Sequence, residues 1–292
     1  MTKTKDGRPY AHKVKVSGLQ HTMALLMPKK TQNEVYLNQL FDATELVKWL
    51  EEHNRDRDHD HRITLFHCIM MAVAKMIRER PKMNRFIKNG TVWQREEVSL
   101  SFVVKQRFSD RGEEELLFYV PKEEENIFDI SADLIGDISQ VRKAAHNSNH
   151  TGDVMETLAR LPLFIQKLAC SLAHLADQWQ ISPRSLTNGD PNYSTVLASN
   201  LGSIRCPAVY HHLNEYGTCS ILLTIGTLHK EEVLMEDGHK EIREVVDIGV
   251  TLDERMADGF YFARSLKLIR HIFAHPELLE MPLGLDSGFM YD

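Results

Sequence analysis

Residues 250–266, VTLDERMADGFYFARSL, place Asp253, Glu254, Arg255 and Asp258 within six positions, just ahead of Gly259. A strand-like run enters this stretch and a helix-like run leaves it, so the charges fall at a strand-to-helix junction. A carboxylate there can take a proton, although an ordinary glutamate titrates near about 4.3 and is a weaker base than imidazole at about 6.5. Burial of Glu254 and repulsion from Asp253 and Asp258 would raise its proton affinity; Arg255 turned inward would oppose both. The same four charges can equally form a salt-bridged turn that fixes a subunit interface, with Gly259 allowing the change of direction.

A second cluster lies in YHHLNEYGTCS, where His211, His212 and Glu215 are close together. An imidazole oriented by a carboxylate is a common base, and Glu254 could orient His211 or His212 in that way. The side chains of His211, His212, Glu215 and Glu254 are of metal-ligating type, but no spacing signature marks a metal site and none is expected. Paired histidines in a loop are as often packing residues. Ser199, in YSTVLASNLGSI, is on sequence alone an ordinary strand serine. Residues 55–61 alternate basic, acidic and histidine side chains and read as a solvated turn rather than a metal site.

Other segments must position these residues. ATELVKWLEEHNRDRDHDH reads as an amphipathic helix with Leu46, Val47, Trp49 and Leu50 on one side, and ITLFHCIMMAVAKMIRERP as a helix apolar nearly all round that stops at Pro81. His67 is read as a polar core residue. EVSLSFVVKQRF and EELLFYVPK, separated by SDRGE, read as paired antiparallel strands. From residue 127 to about 180 the pattern is helical, and LARLPLFIQKLACSLAHLADQWQ carries an apolar stripe expected to pack on a sheet rather than to form an acyl-chain or lipid groove; Pro162 starts or kinks that helix. Three β-type runs follow a long loop, and GFYFARSLKLIRHIFAHP closes the chain as a helix. No repeat or linker divides the 292 residues, so one α/β domain with a mixed sheet is expected.

Composition narrows the function. At 42% hydrophobic and 26% charged, with a net charge of -6 and interspersed signs, the chain is globular and lacks the basic face that nucleic-acid binding needs. Its most apolar run is shorter than the roughly 20 residues of a membrane span. The four cysteines, with no C-x-x-C pair and no signal peptide, suit reduced thiols and predict a cytoplasmic protein.

Three motifs then fall in a familiar order. ITLFHCIMMAVAKMIRERPKMNRF, YSTVLASNLGSI and TLDERMADGFYFARSLKLIRHIFAHPELL resemble, in order and spacing across residues 15–280, the superfamily of chloramphenicol acetyltransferase and the dihydrolipoyl acyltransferase catalytic domains of 2-oxoacid dehydrogenase complexes. The resemblance implies a two-layer α/β sandwich and a homotrimer with interfacial active sites, able to assemble further. It implies acyl transfer from coenzyme A or a related thioester to a small acceptor. Because the sequence has no Gly-rich phosphate loop, coenzyme A rests on the resemblance alone.

Mapped from the family motif, Glu254 stands at the position of the histidine base, Ser199 at the serine that hydrogen-bonds the oxyanion, and Asp258 at the acidic position before the glycine. The family's Asp-His-Arg is thus Asp-Glu-Arg here, and Gln20 or His21 falls where an arginine often pairs with the motif aspartate. The adjacent His211 and His212 are not part of the usual pattern. The chain starts almost at the catalytic domain, so residues 1–292 are expected to be one acyltransferase-like domain without lipoyl or peripheral-subunit-binding domains. The rival expectation is a catalytically inactive trimer, a scaffold or binding module whose cleft is filled by Tyr210, Tyr216, Phe260 and Tyr261.

Overall fold

The computed structural model describes residues 11–105, 114–143, 157–183, 187, 189–235 and 237–291. In chain order the strands are β1 (Ala11–Lys13), β2 (Glu34–Asp42), β3 (Arg85–Lys88), β4 (Thr91–Arg95), β5 (Leu100–Lys105), β6 (Glu114–Tyr119), β7 (Val196–Asn200), β8 (Ile221–Ile225), β9 (His229–Leu234) and β10 (Lys240–Asp253). The helices that bear on the site are α1 (Gly18–Leu26), α2 (Thr44–His53), α3 (Leu65–Glu79), α4 (Ile127–Lys143), α5 (Leu163–Gln178) and α6 (Gly259–Ala274).

The larger sheet runs β2-β10-β8-β7-β5-β6, with β9 also on β10; β7 is parallel to β5 and β8, and the other pairs are antiparallel. It is therefore mixed. β10 is its spine, pairing with β2 along one edge and with β9 and then β8 along the other. One face of this sheet, carrying Phe102, Val196, Ala198, Leu223, Val246, Ile248, Val250 and Leu252, packs with helices α2, α3, α4 and α6 into a single core. The result is a two-layer α/β sandwich. A smaller sheet, β1-β4-β3, joins the domain next to α1.

Helix α3 is buried from Phe66 to Ile77, as a helix apolar all round must be. Its start is fixed by a reciprocal cap between Thr64 and His67, and it ends at Arg80, immediately before Pro81. The strands β5 and β6 pair as the alternating pattern predicts; the SDRGE turn between them lies outside the described residues. Pro162 starts α5 rather than kinking it.

The apolar stripe of α5 departs from expectation. Phe164, Leu168, Leu172, Leu175 and Trp179 recur at helical spacing but are 55–72% exposed, and within α5 only Asp177 is buried. The helix touches the domain through that aspartate, which accepts from Tyr193 Oη at 2.8 Å and from Gly217 N at 3.1 Å and pairs with Lys88. It does not lie on the sheet of its own chain. A polar anchor in place of apolar burial is the physical reason the pattern misleads: periodicity shows that a helix has an apolar face, not what covers it.

Candidate active site

The acidic motif begins where β10 ends. Asp253 is the last residue of the strand, Glu254–Met256 make one 3₁₀ turn, and Asp258 caps α6 by accepting the Tyr261 N–H at 2.9 Å. Arg255 turns inward, as the opposing possibility anticipated: Nε and Nη2 reach the two oxygens of Asp253 at 2.8 and 2.6 Å, and Nη1 donates to the carbonyls of Met27 and Pro28. With its neighbour committed elsewhere, Glu254 is exposed, and its carboxylate has no hydrogen-bond partner among the described residues. It borders a cavity of about 330 Å³ shared with Gln20, Lys82, Arg85 and Asp258. Burial in low dielectric is therefore not something a single chain provides for Glu254. Gln20 bonds the motif backbone, its Nε2 donating to the Arg255 carbonyl at 2.7 Å, and leaves Asp258 to its capping role.

Ser199 lies near the end of β7, half-buried, beside Leu201, Ser203, Phe102 and Lys105 in a groove of about 160 Å³. The turn after it needs glycine: a Cβ on Gly202 would lie 2.5 Å from the Gly226 carbonyl oxygen. This close approach docks the Ser-Asn-Leu-Gly turn against the end of β8. The groove shares Phe66, Ile138, Arg142 and Asn200 with a larger cavity of about 680 Å³, whose rim carries, among the described residues, His59, His61, Arg62, Arg142 and Lys143 and the carboxylate of Asp60.

Strand register shows how far apart these two halves are. Ser199 pairs with Thr224, Thr224 pairs with Gly249, and Glu254 is five residues beyond Gly249. At about 3.4 Å per residue along a strand and about 4.8 Å between strands, Glu254 and Ser199 of one chain are roughly 20 Å apart. They open onto different cavities at opposite ends of the sheet.

His211 and His212 ride on a loop across the sheet's outer face. Val209 covers Gly249 so closely that a Cβ there would meet its carbonyl oxygen at 2.6 Å. Further along, the Leu213 N–H bonds Glu34, which lies opposite Asp253 in the β2–β10 pair. The loop is held from below by Lys30, whose buried ammonium donates to the carbonyls of Asn214 and Gly217 at 2.7 and 3.0 Å; burial, then the nearby Lys88, push it down to about 7. Glu215 accepts from the backbone N–H groups of Lys30 and Thr31, so its carboxylate serves this junction.

The two imidazoles stack at 4.7 Å, and each Nδ1 faces a carbonyl oxygen, that of His212 at 2.8 Å and that of Leu213 at 3.3 Å. A ring nitrogen facing a carbonyl oxygen donates, so each Nδ1 carries a proton. Neither histidine borders the Glu254 cavity, and no bond to Glu254 joins them within the chain. Among the described residues no group of three or more His, Cys, Asp or Glu is placed to hold a metal. All four cysteines are free, and no described helix is long and apolar enough to cross a membrane.

Within one chain, the aromatic residues of the rival expectation pack outside the two cavities. Tyr210 packs on Tyr36 at 5.5 Å and Tyr216 on Tyr193 at 5.7 Å; Phe260 is 70% exposed and Tyr261 lies under Arg80. None of the four borders the Ser199 groove or the Glu254 cavity.

A mixed sheet backed by helices in two layers is the fold of acyltransferase catalytic domains. The model of the 2-oxoacid dehydrogenases acyltransferase (catalytic domain) matches residues 9–112 and 162–281, and the chain belongs to that family. No curated protein matches the sequence. Among solved structures, the fold is similar to a probable dihydrolipoamide acetyltransferase from Listeria monocytogenes, at TM-score 0.59 and 13% identity over 96% of this chain and 98% of the other. It is also similar to the dihydrolipoamide acetyltransferase of Azotobacter vinelandii, studied for a serine, a histidine and an asparagine in its catalytic mechanism, at 0.60 and 15% over 92% and 93%. Chloramphenicol acetyltransferase aligns at 0.50 and 13% over 90% and 99%.

Proposed function

We propose that the chain transfers an acyl group from coenzyme A, or another thioester, to a small acceptor, at sites shared between the subunits of a homotrimer. The observation that carries this reading is the separation of Ser199 and Glu254 onto different open cavities of one chain. A site holding both takes one from each of two neighbours. A protein of similar fold forms the cubic core of a pyruvate dehydrogenase multienzyme complex, which favours assembly of this chain as well. The uncovered stripe on α5 also favours a neighbouring copy.

In this reading Glu254 takes the proton of the acceptor's thiol or hydroxyl as that atom attacks the thioester carbonyl. Ser199 donates to the oxyanion. The C–S bond then breaks, and the proton passes from Glu254 to the leaving thiolate. A positioned base contributes about 10²- to 10⁴-fold and one oxyanion donor about 10²- to 10³-fold. Asp258 orders the turn by capping α6. In the Azotobacter vinelandii enzyme the histidine and asparagine studied are four positions apart, as Glu254 and Asp258 are here. His212, or His211, whose Nδ1 atoms are held by backbone carbonyls, is the alternative base, with Glu254 of a neighbour as its orienting partner. Coenzyme A is favoured as donor by the cationic rim of the cavity that continues the Ser199 groove.

The test is turnover of a panel of acyl-coenzyme A donors with thiol, amine and hydroxyl acceptors, comparing wild type with Glu254→Ala, Glu254→His and Ser199→Ala. Loss of activity in Glu254→Ala and Ser199→Ala supports the reading. A silent wild type with an active Glu254→His points instead to a trimer whose cleft has abandoned its chemistry.

A further inference from the structure

His67 occupies the third position of α3 and is 3% exposed. Its ring stands where a capping box usually has glutamate or glutamine. The Thr64 N–H donates to Nδ1 at 3.2 Å, while the His67 N–H reaches Thr64 Oγ1 at 3.5 Å. A nitrogen that accepts a hydrogen bond carries no proton, so the ring's hydrogen is on Nε2. Burial pushes the imidazole down to about 4, and it is uncharged at neutral pH.

The Nε2–H has no hydrogen-bond partner among the described residues, and the ring borders the cavity of about 680 Å³ between α3, α4 and the end of β7. It opens on that cavity, where water or a bound ligand can accept from it. Two surroundings indicate the chemistry of that ligand. The outer rim carries Arg62 and Lys143, which favour an anionic group. His67 instead sits beside Phe66, whose ring meets the imidazole edge-on at 6.0 Å and also walls the Ser199 groove. An uncharged donor next to an apolar wall suits a neutral acceptor, such as an amide or ester carbonyl.

We infer that the Nε2–H of His67 binds a carbonyl oxygen of the acyl donor's amide-bearing arm, holding it between the cationic rim and Ser199. This rests on the proposed function, because the arm is that of a coenzyme A thioester. His67 is thereby a binding residue as well as a helix cap.

The two roles separate by substitution. His67→Asn places Oδ1 near the position of Nδ1, keeping an acceptor for Thr64, but removes the donor; His67→Gln places an amide nitrogen near that of Nε2. Equilibrium binding is measured with coenzyme A and with pantetheine, which has the arm without the nucleotide. His67→Asn is expected to weaken both about 3- to 10-fold with its unfolding midpoint near that of wild type, and His67→Gln to stay within about twofold. In ¹⁵N spectra of the free protein the proton should be found on Nε2, and its signal should move when coenzyme A is added. Binding indifferent to His67→Asn, a signal that does not move, or a proton on Nδ1 overturns this inference alone. Failure of the wild type to bind either probe overturns both it and the coenzyme A reading.

Discussion

Arg255 closes on Asp253 and leaves its other neighbour, Glu254, without a cationic partner among the described residues: the guanidinium meets both Asp253 oxygens, with side-chain exposures of 3% and 0% for the two residues. The same guanidinium holds the carbonyls of Met27 and Pro28 at the end of α1, so one buried pair fixes both walls of the Glu254 cavity. Removing one partner strands a buried charge, and Arg255→Met or Asp253→Asn is expected to cost about 3–5 kcal/mol. Denaturant unfolding measures this. A loss below about 1 kcal/mol, the range of exposed pairs, would mean that the pair is not the buried clamp described.

Gly202 allows the turn after Ser199 to touch the end of β8. Gly202→Ala should cost roughly 1–3 kcal/mol through overpacking against the Gly226 carbonyl. Activity should fall further than stability, because the strain is taken up next to Ser199. Parallel turnover and thermal-unfolding measurements check the order of the two effects.

The pH dependence of stability has two limbs. His67 is depressed from 6.5 to about 4, so in the acid range the unfolded chain binds the proton that the folded chain refuses. Stability on the order of 2–3 kcal/mol is present above about pH 6.5 and lost as pH falls toward about 4. His67→Gln should flatten that slope. Lys30 is depressed from 10.5 to about 7, so its contribution increases as pH rises through that interval, and Lys30→Met should remove the increase. Urea titrations at fixed pH values test both; a slope of opposite sign in either limb would contradict the assignment.

The sequence carried the architecture because its long elements are strongly patterned. Helix α3, the β5–β6 pair and the strand-to-helix junction at Asp253–Gly259 all follow from periodicity and caps. The small sheet was readable too: Asn89-Gly90 between FIK and VWQ is a hairpin signal, and both residues have positive φ, at 48° and 68°. It is easily passed over because β3 and β4 are only four and five residues long.

The site was legible only as residue types. Nothing in the sequence separates Ser199 from Glu254, since both end strands of one sheet; the separation comes from register, two strands across and five residues along. Likewise His67 reads as a core residue from the apolar residues around it, and its free Nε2–H exists only because α4 leaves a cavity there. The α5 stripe was legible as apolar, but its cover was not, because no pattern states whether a partner surface belongs to the same chain.

Intersubunit complementation is the most direct test of the shared site. Glu254→Ala and Ser199→Ala chains, each inactive alone, are unfolded, mixed in equal amounts and reassembled, and turnover is measured against reassembled wild type. If each site takes Glu254 from one subunit and Ser199 from the next, about a quarter of the sites in randomly mixed trimers regain both residues, and activity returns to about that fraction. If the mixture stays as inactive as its components while remixed wild type recovers, Glu254 and Ser199 do not meet across an interface, and the account of the site is wrong.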